Sequence, residues 1–547
     1  MKTAFKIFSL AAASALLMTG CIEETFPENG TATSELVGAS SSALESALDG
    51  IAPQMSSTYY VYGSQVHETD LGYVLFMIAD TEMTGDMYPL GSNSGYDWFR
   101  NYNTFAAVGG NTYFSYLPWF TLYRFVKAAN DVIAAVDLDN PELTDAIKGM
   151  AGCAYAYRAL DYYTLMTHFE AKTNVYTDCS KVAGLTIPIV TENTTADDAK
   201  NNPRVPHDEM VAFILSDLDT AEQCLLHYQP SSKLLPSLAV VYGLKARVYM
   251  WDEDFANAAK YARLAIDVSG CTPLTKAELV DLNTGFNTVN HAWMWHLHYS
   301  AENMGNLGNF TGWMSGEADW GYSSLTCPSI DRALYDRMSK TDYRKPQFLD
   351  PDKFDFYPYE TCRTAQWIED APAYLSLKFR CLNGDFETYS VGGAVDVPMM
   401  RVEEMYLIEA EAIGMSQGVS AGVTALNNFM KQHRDPSYNF STSDARTFQL
   451  EVYTQMRLEF WGEGIGFATA KRLQPGVMQN YAGTNAPADI FKLNCKGMKP
   501  HWNLVIPDYE TQSNVILQTT NNPDPSSTAV GVVGPSPVGQ YAPGKYE

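Results

Sequence analysis

The segment HAWMWHLHYS, His291 to Ser300, holds three of the nine histidines and two of the ten tryptophans of this 547-residue chain. Two of these histidines, His296 and His298, have the H-x-H spacing at which both imidazoles could ligate one metal ion. No third ligand is identifiable beside them. Side chains of a strand alternate between two faces, so Trp293 and Trp295 would share one face and the two histidines the other. We therefore predict a supporting strand and no metal site.

Two glycine-rich stretches carry large aromatic side chains next to polar ones and lack any apolar period. They are GSNSGYDWFRNYN, near residue 98, and FTGWMSGEADWGYSS, near residue 320. A pyranose ring offers C–H patches on its faces and hydroxyls at its edge, which aromatic rings and Asn or His side chains complement. We predict a sugar-binding site, with packing in the core or at a partner interface as the alternative for each ring. The predicted contacts are Tyr96, Trp98, Asn101, His298, Trp320 and Tyr322.

No short catalytic motif is present: the sequence lacks H-E-x-x-H, G-x-S-x-G and a P-loop. Four acids crowd the segment RVEEMYLIEAEA, namely Glu403, Glu404, Glu409 and Glu411. Residues three and four apart on a helix are neighbours, so we expect these acids to form ion pairs and caps rather than to catalyse. We predict no catalytic residue, no cofactor and no enzyme activity. A glycosidase with two carboxylates far apart in the chain is the last alternative.

The chain is acidic, with a formal net charge of -26 at pH 7. A surface of this sign repels phosphate backbones and anionic lipids. The charge therefore argues against nucleic acid and polyanionic glycans as partners.

The cysteines form no C-x-x-C motif. Eight of the nine follow Cys21, and the two closest in sequence, Cys362 and Cys381, are 19 positions apart. An exported chain could form disulfides, but cysteines this scattered are more typical of small buried hydrophobic residues.

The first twenty residues are predicted to be a signal peptide. Lys2 and Lys6 precede an apolar run from Phe8 to Met18, which is shorter than the roughly 20 apolar residues of a membrane span. The ending LLMTGC resembles a bacterial lipobox, in which the cysteine carries diacylglycerol after cleavage. We therefore predict a signal peptide over residues 1–20, lipidation of Cys21 and a flexible tether over residues 21–33.

Residues 34–547 are predicted to form one domain of the all-α-dominated class, a tetratricopeptide-like helical repeat scaffold with a loop-rich second half containing short strands. Ala246, Tyr249, Ala258 and Ala265 have the spacing of tetratricopeptide hairpins, in which small residues let two helices approach closely. The helical repeats are predicted mainly over 115–270 and 398–475, ligand-side loops over 81–118 and 283–400, and an irregular tail over 522–547.

Seven pieces, in order along the mature chain, resemble the SusD/RagB-type nutrient-binding lipoproteins of the Bacteroidota outer membrane. They include RALDYYTLMTHF, RVPHDEMVAFILSDLDTAEQCL, RVEEMYLIEAEA, RLEFWGEG and LVIPDYE. The family commonly has an arginine and an aspartate after the Glu-Gly pair, where this chain has Gly466 and Thr469. Both members of an ion pair are replaced together, so no buried charge is left unpaired.

The resemblance implies a single SusD-like domain that captures oligosaccharide at the cell surface without catalysis. It further implies a SusC-like TonB-dependent transporter as partner and a surface-exposed position at the outer membrane, anchored through Cys21. Members similar to this chain use the two aromatic loops for glycan. Two alternatives stay open: a peptide-capturing uptake lipoprotein, and a tetratricopeptide scaffold that binds protein and has no sugar site.

Overall fold

The computed structural model describes residues 41–57, 70–89, 108–283, 286–302, 304–326, 328–487 and 491–525. Helices dominate these ranges, and none of the helices within them is long and apolar enough to cross a lipid bilayer. The helices of the first half are α1 (Ser41–Asp49), α2 (Ile51–Met55), α3 (Val74–Met83), α4 (Tyr113–Ile133), α5 (Asp145–Phe169), α6 (His207–Leu225), α7 (Leu238–Trp251) and α8 (Phe255–Ser269).

The second half alternates long helices with short ones in irregular segments. Its helices are α9 (Phe310–Met314), α10 (Ser323–Thr326), α11 (Arg332–Tyr335), α12 (Ala365–Asp370), α13 (Tyr389–Gly392), α14 (Val402–Gln417), α15 (Val419–His433), α16 (Ala445–Glu459), α17 (Gly466–Leu473) and α18 (Asp508–Ser513). Short 3₁₀ helices lie at Asp198–Asn201, Lys345–Gln347, Leu382–Gly384, Pro500–Trp502 and Val515–Thr519.

The hairpin of α7 and α8 has the packing that the tetratricopeptide spacing predicts. The side chains of Ala246, Ala258 and Ala265 are fully buried, so the two helices approach closely. Tyr249 stacks on Tyr261 of the second helix, with ring centroids 5.5 Å apart and an interplanar angle of 11°. Small residues at the contact and an aromatic pair beside it are the sequence signal of this hairpin.

The hairpin of α14 and α15 is tighter still. A Cβ atom added to Gly422 would lie 2.5 Å from the Cα of Gly414, so only glycine fits at this crossing. Helix α14 continues to Gln417, and the chain turns at Gly418 alone. The backbone of Gly418 has a φ of 114°, which glycine adopts without the steric cost a side chain brings.

Three two-stranded antiparallel sheets lie in the irregular segments of the described chain. The pairs are β1 (Met87–Pro89) with β3 (Pro328–Ile330), β2 (Trp293–His298) with β4 (Asp396–Arg401), and β5 (Val477–Met478) with β6 (Asn494–Cys495). Each pair joins segments that are distant in sequence or separated by a loop. The short strands therefore connect the segments of the loop-rich half and do not form a core sheet.

Strand β2 is the strand predicted in HAWMWHLHYS, and its two histidines reach the same oxygen of Asp396, as expected for side chains that share a face. The regular alternation assumed for the whole strand is interrupted. Its register against β4 shifts between Trp293 and Trp295 and again between Trp295 and His296. Each irregularity of this kind changes the side to which the following side chains point. The five residues from Trp293 to Leu297 are all buried, and only His298 is exposed. The strand is covered on both faces.

A buried ion network joins the helical repeats to the loop-rich half. It contains four cationic and four acidic side chains, all at most 4% exposed. Because water does not reach these groups, each charge is neutralised by side chains of opposite charge. Its residues come from β4, α14, the ends of α15 and α16, and the segments near 343 and 378. The members are Asp342, Arg344, Lys378, Arg401, Glu403, Arg434, Glu459 and Glu463.

Candidate functional site

The two aromatic loops predicted to bind sugar leave the same end of one small sheet. Strand β1 pairs with β3 in antiparallel register, and its last residue, Pro89, lies opposite Pro328, the first residue of β3. The first loop leaves the sheet after Pro89, and the second enters it at Pro328. Residues 90–107 are outside the described part of the chain, so the positions of Tyr96, Trp98 and Asn101 are not described. Cys21 is also outside it.

The Trp320 side chain is buried, at 5% exposure. Its ring packs with Ala318 and Cys381 and against the partly buried Phe386 and Tyr389. The indole N–H lies 3.5 Å from the Oδ1 atom of Asn309. In this conformation the ring packs inside the loop, and neither of its faces is exposed to solvent.

Tyr322 is buried as well, with no exposed surface. It stacks on Trp313, with ring centroids 3.8 Å apart and an interplanar angle of 24°. Trp313 is 6% exposed. Trp313 and Tyr322 therefore form a stacked pair that is buried beneath the surface of this loop.

Two asparagines that the sequence reasoning did not select fold this loop. The Asn309 side chain accepts a hydrogen bond from the Gly312 N–H at 2.6 Å and donates to the carbonyl of Gly305 at 2.8 Å. The Oδ1 atom of Asn306 accepts from the Gly321 N–H at 3.0 Å. Asparagine side chains commonly satisfy backbone groups of turns in this way. The run NMGNLGNFTG contained the signal, as a dense alternation of Asn and Gly.

His298 is the exposed member of the predicted set, with half of its side chain accessible. Its Nδ1 atom lies 2.8 Å from Oδ1 of Asp396 on β4, and the buried His296 reaches the same oxygen at 3.4 Å. Burial raises the pKa of Asp396, but the hydrogen bonds from His296 and His298 outweigh it and hold this pKa well below its usual range. The same hydrogen bond raises the pKa of His298 above its ordinary value, against the opposing effect of burial.

One short segment connects Trp320 with His298. A Cβ atom added to Gly392 would lie 2.6 Å from the Trp320 indole, so this backbone presses against the ring. Four residues further on, Asp396 pairs with His298. The segment 389–396 thus brings two predicted contact residues into one region, with Val391, which is 41% exposed, between them. We call the exposed surface of this segment, with Val391 and the paired His298, the loop face.

A cavity of about 80 Å³ lies between α3, α5, α7, α14 and α17. Its walls contain two closed side-chain pairs, a hydrogen bond between Asp80 and His168 at 2.8 Å and an ion pair of Arg247 with Glu404 at 2.6 Å. Pockets for organic ligands usually have roughly 300–1,000 Å³. The size and the satisfied charges indicate a structural cavity.

The two family departures lie beside this cavity. Thr469 lines it, and the Thr469 hydroxyl contacts the sulfur of Met456 at 3.8 Å. A Cβ atom at Gly466 would lie 3.8 Å from Cγ of Arg457, which forms its ion pair with Asp86 instead. No charged side chain occupies either position, so the ion pair expected for the family is missing here.

A second cavity, of about 280 Å³, lies between residues 229–239 and the end of α8. Serine hydroxyls, Lys233 and aliphatic side chains line it, and no aromatic ring does. The Lys233 ammonium already donates to the carbonyl of Asn290 at 3.0 Å. This cavity lacks the flat apolar faces on which a pyranose stacks.

The acids of RVEEMYLIEAEA form ion pairs between helices, as predicted. Each of the four contacts an arginine of another element, and no two of them meet as an isolated carboxylate pair. Among the residues that the structure describes, no group of three or more His, Cys, Asp or Glu side chains is arranged to hold a metal ion. The pairs are Glu403 with Arg434 at 3.0 Å, Glu404 with Arg247 at 2.6 Å, Glu409 with Arg263 at 2.5 Å and Glu411 with Arg472 at 2.7 Å.

Comparison with known proteins gives one family model that matches residues 77–250, described as SusD-like, starch-binding and associating with the outer membrane. A SusD-like protein P2 from Formosa agariphila is 23% identical over 373 residues, which cover 64% of this chain and 69% of that protein.

Solved structures share the fold over most of the chain. A SusD-like carbohydrate binding protein from Bacteroides vulgatus has a TM-score of 0.69 at 22% identity, covering 88% of this chain and 98% of the other. A laminarin binding SusD-like protein has a TM-score of 0.62 at 19% identity, covering 88% and 99%. Surface glycan-binding protein A from Bacteroides thetaiotaomicron has a TM-score of 0.64 at 16% identity, covering 88% and 98%. The family match over residues 77–250 and the shared helical fold confirm the resemblance seen in the sequence, and the chain has the SusD-like fold.

Proposed function

We propose that this chain is a non-catalytic glycan-binding lipoprotein that captures oligosaccharide at the cell surface. The observation that carries the proposal is the match of residues 77–250 to a family described as starch-binding and associating with the outer membrane. Two structures with the same fold bear names that refer to laminarin and glycan binding, which supports the same ligand class.

The loop face is the proposed binding surface. The loop that contains Trp98 follows Pro89, the loop that contains Trp320 precedes Pro328, and these two prolines lie opposite each other in the β1–β3 sheet. Because Trp320 and Tyr322 are buried, we assign them to the support of this surface. Direct contacts are assigned to Tyr96, Trp98 and Asn101 of the first loop and to His298 of strand β2. An exposed imidazole that is paired with a carboxylate can donate its second N–H to a sugar hydroxyl.

The ligand class follows from charge. A chain with a net charge of -26 would repel sulfated or uronic-acid-rich glycans, so we propose a neutral oligosaccharide. The densest group of acids, in RVEEMYLIEAEA, is engaged with arginines and offers no pair of free carboxylates. Binding without cleavage is the role that fits these side chains.

The second half of the proposal is the delivery of the captured oligosaccharide to a transporter. Lipid on Cys21 would anchor the chain to the outer membrane through the tether of residues 21–33. A SusC-like TonB-dependent transporter is the proposed partner, to which the captured oligosaccharide passes. Affinity purification of the lipidated chain from outer membranes tests this half, with a large β-barrel protein as the expected companion.

The binding half is tested by an array of neutral, sulfated and uronic-acid-containing oligosaccharides, with an unstructured peptide library on the same slide. We expect retention on one class of neutral oligosaccharide and none on the peptides. Retention on peptides alone would replace the proposal with peptide capture. Retention on neither would favour a protein-binding scaffold.

A further inference from the structure

Two cysteines meet directly behind the Trp320 ring. Cys381 packs in the same cluster as Trp320, and the 3₁₀ turn Leu382–Gly384 begins immediately after it. A Cβ atom added to Gly384 would lie 3.3 Å from the Cβ of Cys362, which places Cys362 against this turn. The Cys362 side chain is close enough to Cys381 to raise the pKa of the Cys381 thiol.

A single buried carboxylate aligns the two cysteines. Glu317 has no exposed side-chain surface, and its Oε1 atom accepts the backbone N–H of Cys362 at 3.1 Å. The same oxygen pairs with Nη1 of Arg380, the residue before Cys381, at 2.9 Å. The Thr361 hydroxyl donates to it at 2.6 Å. The residues next to both sulfurs are therefore fixed to one atom, and the pair is held together by more than van der Waals contact.

Solvent reaches only one of the two cysteines. Cys362 is partly exposed, whereas Cys381 is buried. Contact with Cys362, burial and the charge of Glu317 together raise the pKa of the Cys381 thiol. An external oxidant would therefore react first at Cys362, and Cys381 would act as the resolving thiol.

We propose that Cys362 and Cys381 form a disulfide bond in the exported protein. The oxidant is the disulfide of a dithiol oxidase of the export compartment. The Cys362 thiolate attacks this disulfide and forms a mixed disulfide, which releases one oxidase thiolate. The Cys381 thiolate then attacks the Cys362 sulfur and displaces the second. Two electrons and two protons end on the oxidase as a dithiol, and one S–S bond closes the loop of residues 363–380.

The other close pair of described cysteines is a suitable comparison. Cys153 and Cys224 lie near enough to interact electrostatically. However, Cys153 is fully buried, and its thiol donates to the carbonyl of Pro236 at 3.3 Å. An oxidant cannot reach this thiol without local unfolding. We expect Cys153 and Cys224 to stay reduced under the same conditions.

The experiment is disulfide mapping of the full chain, produced in an oxidising periplasm and trapped with iodoacetamide in denaturant without reductant. Mass spectrometry of the digested sample should give a crosslinked peptide that joins Cys362 to Cys381, about 2 Da lighter than the sum of its two thiol peptides. Reduction should abolish it and make both cysteines alkylatable. In Cys362→Ser, Cys381 should become fully alkylated, while in the matched control Cys224→Ser the crosslink should persist.

Complete alkylation of Cys362 and Cys381 in the unreduced wild-type chain would overturn the proposal. A crosslink from Cys381 to any other cysteine, including Cys327, would overturn it as well. The mapping of the wild-type chain decides the matter even if a serine variant folds poorly. The proposal rests on the export that the proposed function includes, but the result does not depend on glycan binding, so failure of the crosslink and failure of sugar binding are distinguishable.

Discussion

The buried ion network makes the strongest quantitative prediction about this fold. Glu459, which has no exposed side-chain surface, accepts from Arg434 through Nε at 2.6 Å and Nη2 at 2.8 Å. It also contacts Arg401 at 3.1 Å and Arg344 at 3.5 Å. Burial opposes the charge of Glu459, but the three arginines hold its pKa well below the usual range. Glu459→Gln keeps the shape of the side chain and removes its charge.

The magnitude follows from the balance of charges. The wild-type network has four cations and four acids, so Glu459→Gln leaves one positive charge without a partner and away from water. Breaking a buried ion pair by removing one partner costs about 3–5 kcal/mol. We therefore expect the free energy of unfolding to fall by about 4 kcal/mol. Asp131→Asn, which removes the exposed pair of Lys127 and Asp131, should cost at most about 0.5 kcal/mol.

Urea unfolding followed by circular dichroism measures the stability of both variants. The shift of the urea midpoint is converted to a free energy of unfolding with the slope, in free energy per molar urea, that the variants share. The double variant Arg434→Met, Glu459→Met supplies a further control. It removes one cation and one acid, so it should be less destabilising than Glu459→Gln despite its larger change in shape. Equal stability of Glu459→Gln and Asp131→Asn would refute the reasoning, because the network would then contribute no more than a surface pair.

Three further predictions rest on single contacts. Gly422→Ala should lower the free energy of unfolding by about 1–3 kcal/mol because its Cβ meets the facing helix. Gly466→Ala, whose Cβ would make only ordinary van der Waals contact, should be neutral or stabilising in the same urea titration. In an NMR titration, Asp396→Asn should lower the raised pKa of His298 toward 6.5. Wild-type stabilisation by this pair should be full between the ordinary Asp and His pKa values and be lost as the pH rises through the His298 pKa or falls through the Asp396 pKa. Trp320→Ala should cost about 3–5 kcal/mol of unfolding free energy, since the ring is buried; an unchanged urea midpoint would mean that the ring is exposed in solution.

The helical half was predictable because its signals are local. Ala246 and Ala258 are close in sequence to the residues that they contact, and the four acids of RVEEMYLIEAEA lie on a helix whose neighbours were expected to be cationic. The periodicity of a helix links these positions directly to packing. The sequence therefore predicted the hairpins and the pairing of these acids, but not their arginine partners, which are 31 to 157 positions away.

The loop-rich half was less predictable because its contacts are distant in sequence. Trp320 is covered by Phe386 and Tyr389, more than 60 positions away, so a tryptophan in a glycine-rich loop gave no sign of burial. Strand β2 pairs with β4, which lies about 100 residues later in the chain. Nothing in the amino-acid composition of β2 indicates its two register shifts. The meeting of Cys362 and Cys381 likewise depends on Glu317, which is outside the segment between them.

The central claim is that the loop containing Trp98 binds a neutral oligosaccharide, and isothermal titration calorimetry tests it most directly. The ligand is the neutral oligosaccharide retained on the array, titrated into the wild-type chain, Trp98→Ala and the control Phe354→Ala, whose ring is 69% exposed and lies on neither aromatic loop. Loss of a ring that stacks on sugar should weaken binding about tenfold, which corresponds to about 1.4 kcal/mol. We predict this loss for Trp98→Ala and wild-type affinity for Phe354→Ala. Wild-type affinity in Trp98→Ala, or no heat of binding with the wild-type chain, would contradict the claim.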